Sequence, residues 1–250
     1  MIEVKNVVKQ FDGKTVLKEI SCLFEKGKSN LIIGQSGSGK TVLLKSIVGL
    51  HTVDSGDIFY DNRSFIKMSP DEKKEIRKEI GMLFQGSALF DSFTVEENVR
   101  FPLDMFTTMS TLQKRKQVDF CLSRVDLHNV HKLYPSEISG GMQKRVAIAR
   151  AISLNPRYLF CDEPNSGLDP KTSIIIDELI YEITREYQIT TVINTHDMNS
   201  VLGIGEKIIF INQGEKCWEG TNKEVFTTSN EKLNDFIFAS DFAKLIKNHI

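Results

Sequence analysis

Short apolar runs alternate with stretches of helical periodicity along most of this chain, which is the pattern of an α/β fold with parallel strands. Leu31-Ile32-Ile33, stopped by Gly34, reads as a buried strand. Tyr158-Leu159-Phe160-Cys161 reads as a second, ending on Asp162-Glu163. Thr190-Thr191-Val192-Ile193 is a third, and Ile208-Ile209-Phe210-Ile211 is a fourth, before a turn at Asn212-Gln213-Gly214. Ile175, Leu179, Ile183 and Tyr187 recur at helical spacing, which predicts a strand–helix–strand unit.

The middle of the chain has a different texture. From about Phe90 to Pro156 no segment carries a strand signal. Val118, Cys121, Leu122 and Val125 fit the i, i+3, i+4, i+7 stripe of an amphipathic helix. Residues 141–154 carry Val146, Ile148, Ala149 and Ile152 after a Ser-Gly-Gly. The expectation is a helical subdomain over 89–156, inserted into an α/β core made of 1–88 and 157–225. The first 25 residues alternate (Ile2, Val4, Cys22, Phe24), which suits a small antiparallel layer. Beyond Phe226 the pattern predicts a helical tail over 226–250, with Phe236, Ile237, Phe242, Leu245 and Ile246 on its apolar side.

Composition narrows the functional classes. The chain has 250 residues, and 40% of them are hydrophobic, enough for a sizeable core. Lys+Arg 32 against Asp+Glu 33 leaves a net charge of −1, which argues against a chain that grips nucleic acid by bulk charge. No apolar run is long enough to span a bilayer as a helix. The charged start Met1-Ile2-Glu3-Val4-Lys5 does not look like a signal peptide. Cys22, Cys121, Cys161 and Cys217 form no C-x-x-C pair, which points to a reduced cytosolic compartment. Any work at a membrane is therefore expected to pass through a partner, with no direct insertion.

One segment carries specific chemistry. Gly34-Gln35-Ser36-Gly37-Ser38-Gly39-Lys40-Thr41 matches G-x-x-x-x-G-K-[ST], between a predicted strand and a helix opening at Val42. Glycines let backbone wrap closely around phosphate oxygens, and the converging N–H groups form an anion nest backed by a helix N-terminus. Lys40 supplies a point charge to the β- and γ-phosphates, and the Thr41 hydroxyl suits Mg²⁺. Asp162, at the end of an apolar strand, suits a second Mg²⁺ contact; Glu163, one step on, suits a base that orients or deprotonates water. Ser139-Gly140-Gly141 opens a helix and makes a second anion site, one more than a single triphosphate needs. Gln85 and His196 each follow a predicted strand.

Ile138-Ser139-Gly140-Gly141-Met142-Gln143 resembles the signature motif of the ATP-binding cassette (ABC) ATPases. The family's other motifs follow in the family's order over roughly residues 1–225. The resemblance implies a RecA-like P-loop NTPase core of α/β class with an antiparallel β layer and an inserted α-helical subdomain. It places Phe11 on adenine, Gln85 on metal or water, Asp169 in the loop 166–169 that follows the acidic strand, and His196 at the γ-phosphate. It also implies a head-to-tail homodimer around two ATP, in which Ser139, Gly140 and Gly141 of one copy cap nucleotide held by the other copy's Lys40. Phe11 replaces the commoner Tyr, and Ile138 and Met142 replace the usual residues at the ends of the signature.

Residues 81–91, with Pro135-Ser136-Glu137 and Gly140-Gly141-Met142, resemble more narrowly the Mla/Mce lipid-transport group of these ATPases. Ala88-Leu89-Phe90 places apolar residues either where that family docks a membrane subunit or in the core. The expectation is a Mg-ATP-hydrolysing subunit, peripheral on the cytoplasmic face of the inner membrane. It would energise integral-membrane permease subunits for lipid transport, with a Mce-domain protein as a further partner. The alternatives are an importer ATPase for a small solute such as an amino acid, and a regulator outside transport. The tail is expected to dock either on a neighbouring subunit or on its own core.

Overall fold

A computed structural model describes residues 1–238 and arranges them as two sheets with helices on the outer face. The first sheet is antiparallel. It contains β1 (Ile2–Phe11), β2 (Lys14–Phe24), β4 (Ser55–Tyr60) and β5 (Arg63–Ser64), in the order β2-β1-β4-β5. The second contains β3 (Ser29–Ile33), β6 (Ile80–Leu83), β7 (Tyr158–Asp162), β8 (Thr190–Asn194), β9 (Lys207–Asn212) and β10 (Glu215–Gly220), in the order β10-β9-β3-β8-β7-β6. Its strands are parallel except for the hairpin partner β10.

The central strands are apolar throughout because both faces are covered. Along β3, Ile32 faces the first sheet, together with Phe24, Phe160, Val192 and the α1 residues Leu43, Leu44 and Ile47 (α1 is Lys40–Ile47). Its neighbours Leu31 and Ile33 face the opposite way, as do Leu159 and Cys161 of β7. The outer layer on that side is built from α3 (Val95–Phe106), α4 (Thr111–Arg124), α5 (Gly140–Ile152), α6 (Pro170–Glu186) and α7 (Met198–Ile204). No strand occurs between 90 and 156, and Val118, Cys121, Leu122 and Val125 are all buried.

Three expectations need correction or extension. The predicted stripe on α6 has the right period and the wrong phase: Ile176, Ile180, Ile183 and Thr184 are buried, while Ile175 and Tyr187 are exposed. The run Ile174-Ile175-Ile176 allows either phase, and only the packing selects one. Helix α2 (Pro70–Lys78) was not foreseen, since it buries only Ile76; its start is set by a capping box in which Ser69 and Glu72 satisfy each other's backbone N–H groups. Of the tail, α8 (Glu231–Ile237) packs on this chain's own core through Leu233 and Ile237, and the Phe236 ring lies 5.5 Å from that of Phe210. Phe242, Leu245 and Ile246 lie outside the described residues. Among those described, no helix is long and apolar enough to cross a membrane.

The space between the sheets depends on large side chains such as Phe24, which is fully buried. Phe24→Ala should cost about 3–5 kcal/mol of folding stability. Urea denaturation should show this as a lower midpoint with an unchanged slope.

Candidate active site

The loops that carry Lys40, Gln85, Glu163 and His196 leave the second sheet along one edge, at the C-terminal ends of its parallel strands. Strand β3 runs into the loop 34–39, and α1 begins at Lys40 with Gly39 as its N-cap in a left-handed conformation (φ +108°). Gly34 is the tightest point. It has φ +150°, and a Cβ there would stand 2.2 Å from the carbonyl oxygen of Ile211 on β9. The loop can therefore turn away from β3 only through a residue without a side chain. Its far end is tied to the next hairpin, with the Gly214 N–H donating to the carbonyl of Ser38 at 3.0 Å.

Lys40 is largely buried and folds back into its own loop, its Nζ donating to the carbonyls of Gly34 (2.8 Å) and Gln35 (3.1 Å). Burial holds the ammonium below the ordinary lysine range, while Glu163 and Asp162 oppose that shift. A cation whose hydrogen bonds go only to neutral carbonyls is arranged to receive an anion.

Beneath it lies a compact polar knot. The Thr41 hydroxyl is 3.4 Å from Asp162 Oδ1. Asn194, at the end of β8, donates from Nδ2 to both Asp162 Oδ1 and Thr41 Oγ1. The Asn194 Oδ1 and Ser38 Oγ atoms are buried with no hydrogen-bond partner among the described residues. Asp162 and Thr41 together offer one carboxylate and one hydroxyl. That is the donor set Mg²⁺ takes when phosphate oxygens and water complete its octahedron. No cluster of three or more His, Cys, Asp or Glu capable of holding a metal alone exists among the described residues. The residues present thus fit a metal carried in with a phosphate.

Glu163 sits one residue beyond β7 with φ +50°, an uncommon conformation for a side-chain-bearing residue. Its N–H donates to the carbonyl of Asn194 at 2.9 Å, and its carboxylate lies 2.8 Å from His196 Nδ1. A single cavity of about 680 Å³ brings together Val16, Gln35, Ser36, Gly37, Gly39, Lys40, Thr41, Val42, Gln85, Glu163, Ser166, His196 and Phe236. Most of the predicted set therefore meets in one place. Phe11 does not line this cavity; it stands 39% exposed at the end of β1, in edge contact with His51 and with Lys9 Nζ over its ring.

The second anion site lies elsewhere. Ser139 caps α5, accepting from the Met142 N–H, and Gly140 and Gly141 open the helix. They line a separate cavity with Gly167, Leu168, Asp169 and Thr172. A Cβ on Gly141 would stand 2.8 Å from Thr172 Cγ2, so the close approach of α5 to α6 requires a glycine there. The two cavities share no lining residue. Asn194, Asn165 and Asp177 were not singled out from the sequence, and only Asn194 leaves a readable trace, as a polar residue closing an otherwise apolar strand.

A family model described as ABC transporter matches residues 17–166. The chain belongs to the ABC transporter family. The methionine import ATP-binding protein MetN of Campylobacter jejuni is 37% identical over 97% of this chain and 77% of its own length. MetN of Clostridium acetobutylicum is also 37% identical, over 100% of this chain and 78% of its own. Among solved structures, the ATP-binding cassette MJ0796, a dimer in a post-hydrolysis state with ADP and Pi, superposes with a TM-score of 0.81 at 34% identity over 89% of this chain and 99% of that one. cbiO1 of Clostridium perfringens, part of the transporter complex cbiONQ, gives 0.85 at 28% identity over 98% of both chains. The ABC fold and ATPase activity with ATP and Mg²⁺ expected from the motifs therefore stand. The curated relatives are named methionine import ATP-binding proteins, and the lipid assignment with its Mce-domain partner finds no support among them.

Gly34→Ala should prevent the loop from closing around a triphosphate. Binding of a fluorescent ATP analogue should weaken by more than about tenfold, while far-UV circular dichroism stays that of the parent.

Proposed function

We propose that this chain is the ATP-hydrolysing subunit of an importer for a small solute such as an amino acid, working as a head-to-tail dimer on the cytoplasmic face of a membrane permease. The observation that carries the dimer is the presence of two phosphate cradles in separate cavities of one chain. Neither cradle encloses a ligand by itself. Pairing Lys40 of one copy with Ser139 of the other makes two complete sites.

In that assembly Lys40 and the amides of Gln35, Ser36, Gly37, Ser38 and Gly39 hold the β- and γ-phosphates, and Phe11 covers the adenine. Thr41 and Asp162 hold Mg²⁺, and Gln85 contacts metal or water. Glu163 orients or deprotonates the attacking water, and His196 contacts the γ-phosphate. The transition state is loose, so positioning and charge stabilisation carry the rate. Ser139, Gly140, Gly141 and Asp169 belong to the neighbour's site.

The permease contact is assigned to the cleft between β6 and the helical part of the chain, 89–156. Phe84, Phe90 and Phe106 are exposed there around a cavity of about 310 Å³. Within residues 88–90, exposed Phe90 suits the docking alternative, while Leu89 packs against the core. The direction of the substrate reading comes from the MetN relatives. A lipid substrate remains a second reading on one observation, the sequence of 81–91 together with Gly140-Gly141-Met142. Stimulation of ATPase activity in reconstituted vesicles by an amino acid with its binding protein supports the first reading; stimulation by a phospholipid carrier supports the second.

Glu163→Gln should bind ATP as the parent does while kcat falls by about 10²–10⁴. On gel filtration this variant should run as a dimer with Mg-ATP and as a monomer with ADP. Turnover at the parental rate would overturn the role of Glu163, and a monomer at saturating Mg-ATP would overturn the dimer.

A further inference from the structure

Behind the catalytic strands lies a polar cluster that the scheme above does not use. Asn165 stands between Glu163 and the loop 166–169. Its Nδ2 donates to Asp177 Oδ1 on α6 at 2.9 Å and to Ser200 Oγ on α7 at 3.1 Å. The Ser200 hydroxyl also lies beside the Asp177 carboxyl, so three side chains from three elements meet here. Asp177 is 5% exposed and Ser200 is fully buried. We propose that Asn165 is a positioning residue: with Asp177 and Ser200 it clasps the loop 166–169 to the helix that follows His196, so that the loop and the histidine keep one relative geometry during ATP hydrolysis. This rests on the roles proposed above for Glu163 and His196.

The geometry gives Asn165 leverage in both directions. Its carbonyl accepts from the Leu168 N–H (3.2 Å), and the Glu163 carbonyl accepts from the Ser166 N–H (3.2 Å), so the turn 166–169 is hung on these two residues. Asp169 ends the turn by capping α6 at the Thr172 N–H. On the other side, Asp197 caps α7 immediately after His196, and Ser200 lies within the first turn of that helix. A shift of the turn therefore pulls on α7 through the bond from Asn165 to Ser200 and on α6 through the bond to Asp177. The loop 166–169 also lines the Ser139 cavity, while His196 and Ser166 line the Lys40 cavity. The clasp is thus a covalently short link between the two half-sites of one chain.

The clasp needs an anionic acceptor. Burial pushes the Asp177 carboxyl up to about 6, opposed by its bonds from Ser200 and Asn165. The groups facing it are Asp197 from the start of α7, Glu178 on its own helix and the Cys161 thiol from β7, which Lys144 of α5 also reaches. At pH 8 the carboxylate is ionised and takes both donors. The side-chain Oδ1 of Asn165 is buried with no hydrogen-bond partner among the described residues, so the donor half of this side chain is the half in use.

A donor–acceptor exchange tests the proposal at pH 8. Asn165→Asp sets two carboxylates together, and Asp177→Asn removes the acceptor. Each should lower kcat by about tenfold or more, with KM for ATP within about twofold of the parent and the thermal midpoint retained. The double exchange places the acceptor on 165 and the donor on 177, and should bring kcat back to within about threefold. Ser200→Ala, which removes only one hydroxyl, should lower kcat by about threefold at unchanged KM. Parental kcat in Ser200→Ala and both single exchanges would overturn the clasp, as would a double exchange no better than the singles. Losses that track a falling thermal midpoint would also overturn it. Glu163→Gln, assayed beside them, separates failure of the clasp from failure of the catalytic assignment.

Discussion

The structure depends on the register of three parallel strands. Asp162 pairs with Asn194 across β7 and β8, and Asn194 pairs with Ile32 across β8 and β3. A one-residue slip of β7 would turn the Asp162 carboxylate to the opposite face of the sheet and leave the buried amide of Asn194 with the Thr41 hydroxyl alone as acceptor. The register is held by what lies on either side. Ile32, Phe160 and Val192 face one layer, and Leu31, Cys161 and Ile193 face the other. Packing of apolar side chains thus sets the position of the Asp162 carboxylate, and the bond from Asn194 holds its orientation.

Two charged groups stand in reserve arrangements at this edge. Lys40 is satisfied by its own loop's carbonyls, and Glu163 by His196. The Lys40 contacts are weaker than those a triphosphate would offer, because neutral carbonyls are poorer partners for an ammonium than phosphate oxygens are. The loop is therefore stable without its ligand yet loses little when the ligand displaces these bonds. The positive φ at Glu163 fits the same picture: its backbone is held by the Asn194 carbonyl, which leaves the side chain to be aimed by its surroundings.

How much of this was legible in the sequence varies with the kind of residue. The loop 34–41 was readable because a phosphate cradle requires glycine at fixed places, and the structure supplies a reason at Gly34 and Gly39. The four buried strands were readable because strands covered on both faces are apolar without interruption. Helix α2 was not, since a nine-residue helix with one buried side chain carries almost no periodic signal. The phase of α6 was lost in a run of three isoleucines. Asn165, Asp177 and Ser200 left no signal, because ordinary polar residues far apart in the chain acquire meaning only when three elements converge. The substrate was the least legible of all. Residues 81–91 resemble a lipid-transport group, whereas the curated relatives are named for methionine import.

The separation of the two cradles also bears on why such a chain can do mechanical work. A ligand shifts a conformational equilibrium only by the difference in its affinity for the two states. A triphosphate bound wholly within one chain would offer little difference between an open and a closed assembly, since its contacts would be complete in both. With Lys40 and Ser139 in cavities that share no residue, a triphosphate held as proposed above would complete its contacts only when two copies meet. Cleavage of the terminal phosphate then removes the group that both copies hold, and the closed state loses its advantage. The geometry that leaves one chain unable to complete its site is the same geometry that ties the chemistry of hydrolysis to the distance between subunits.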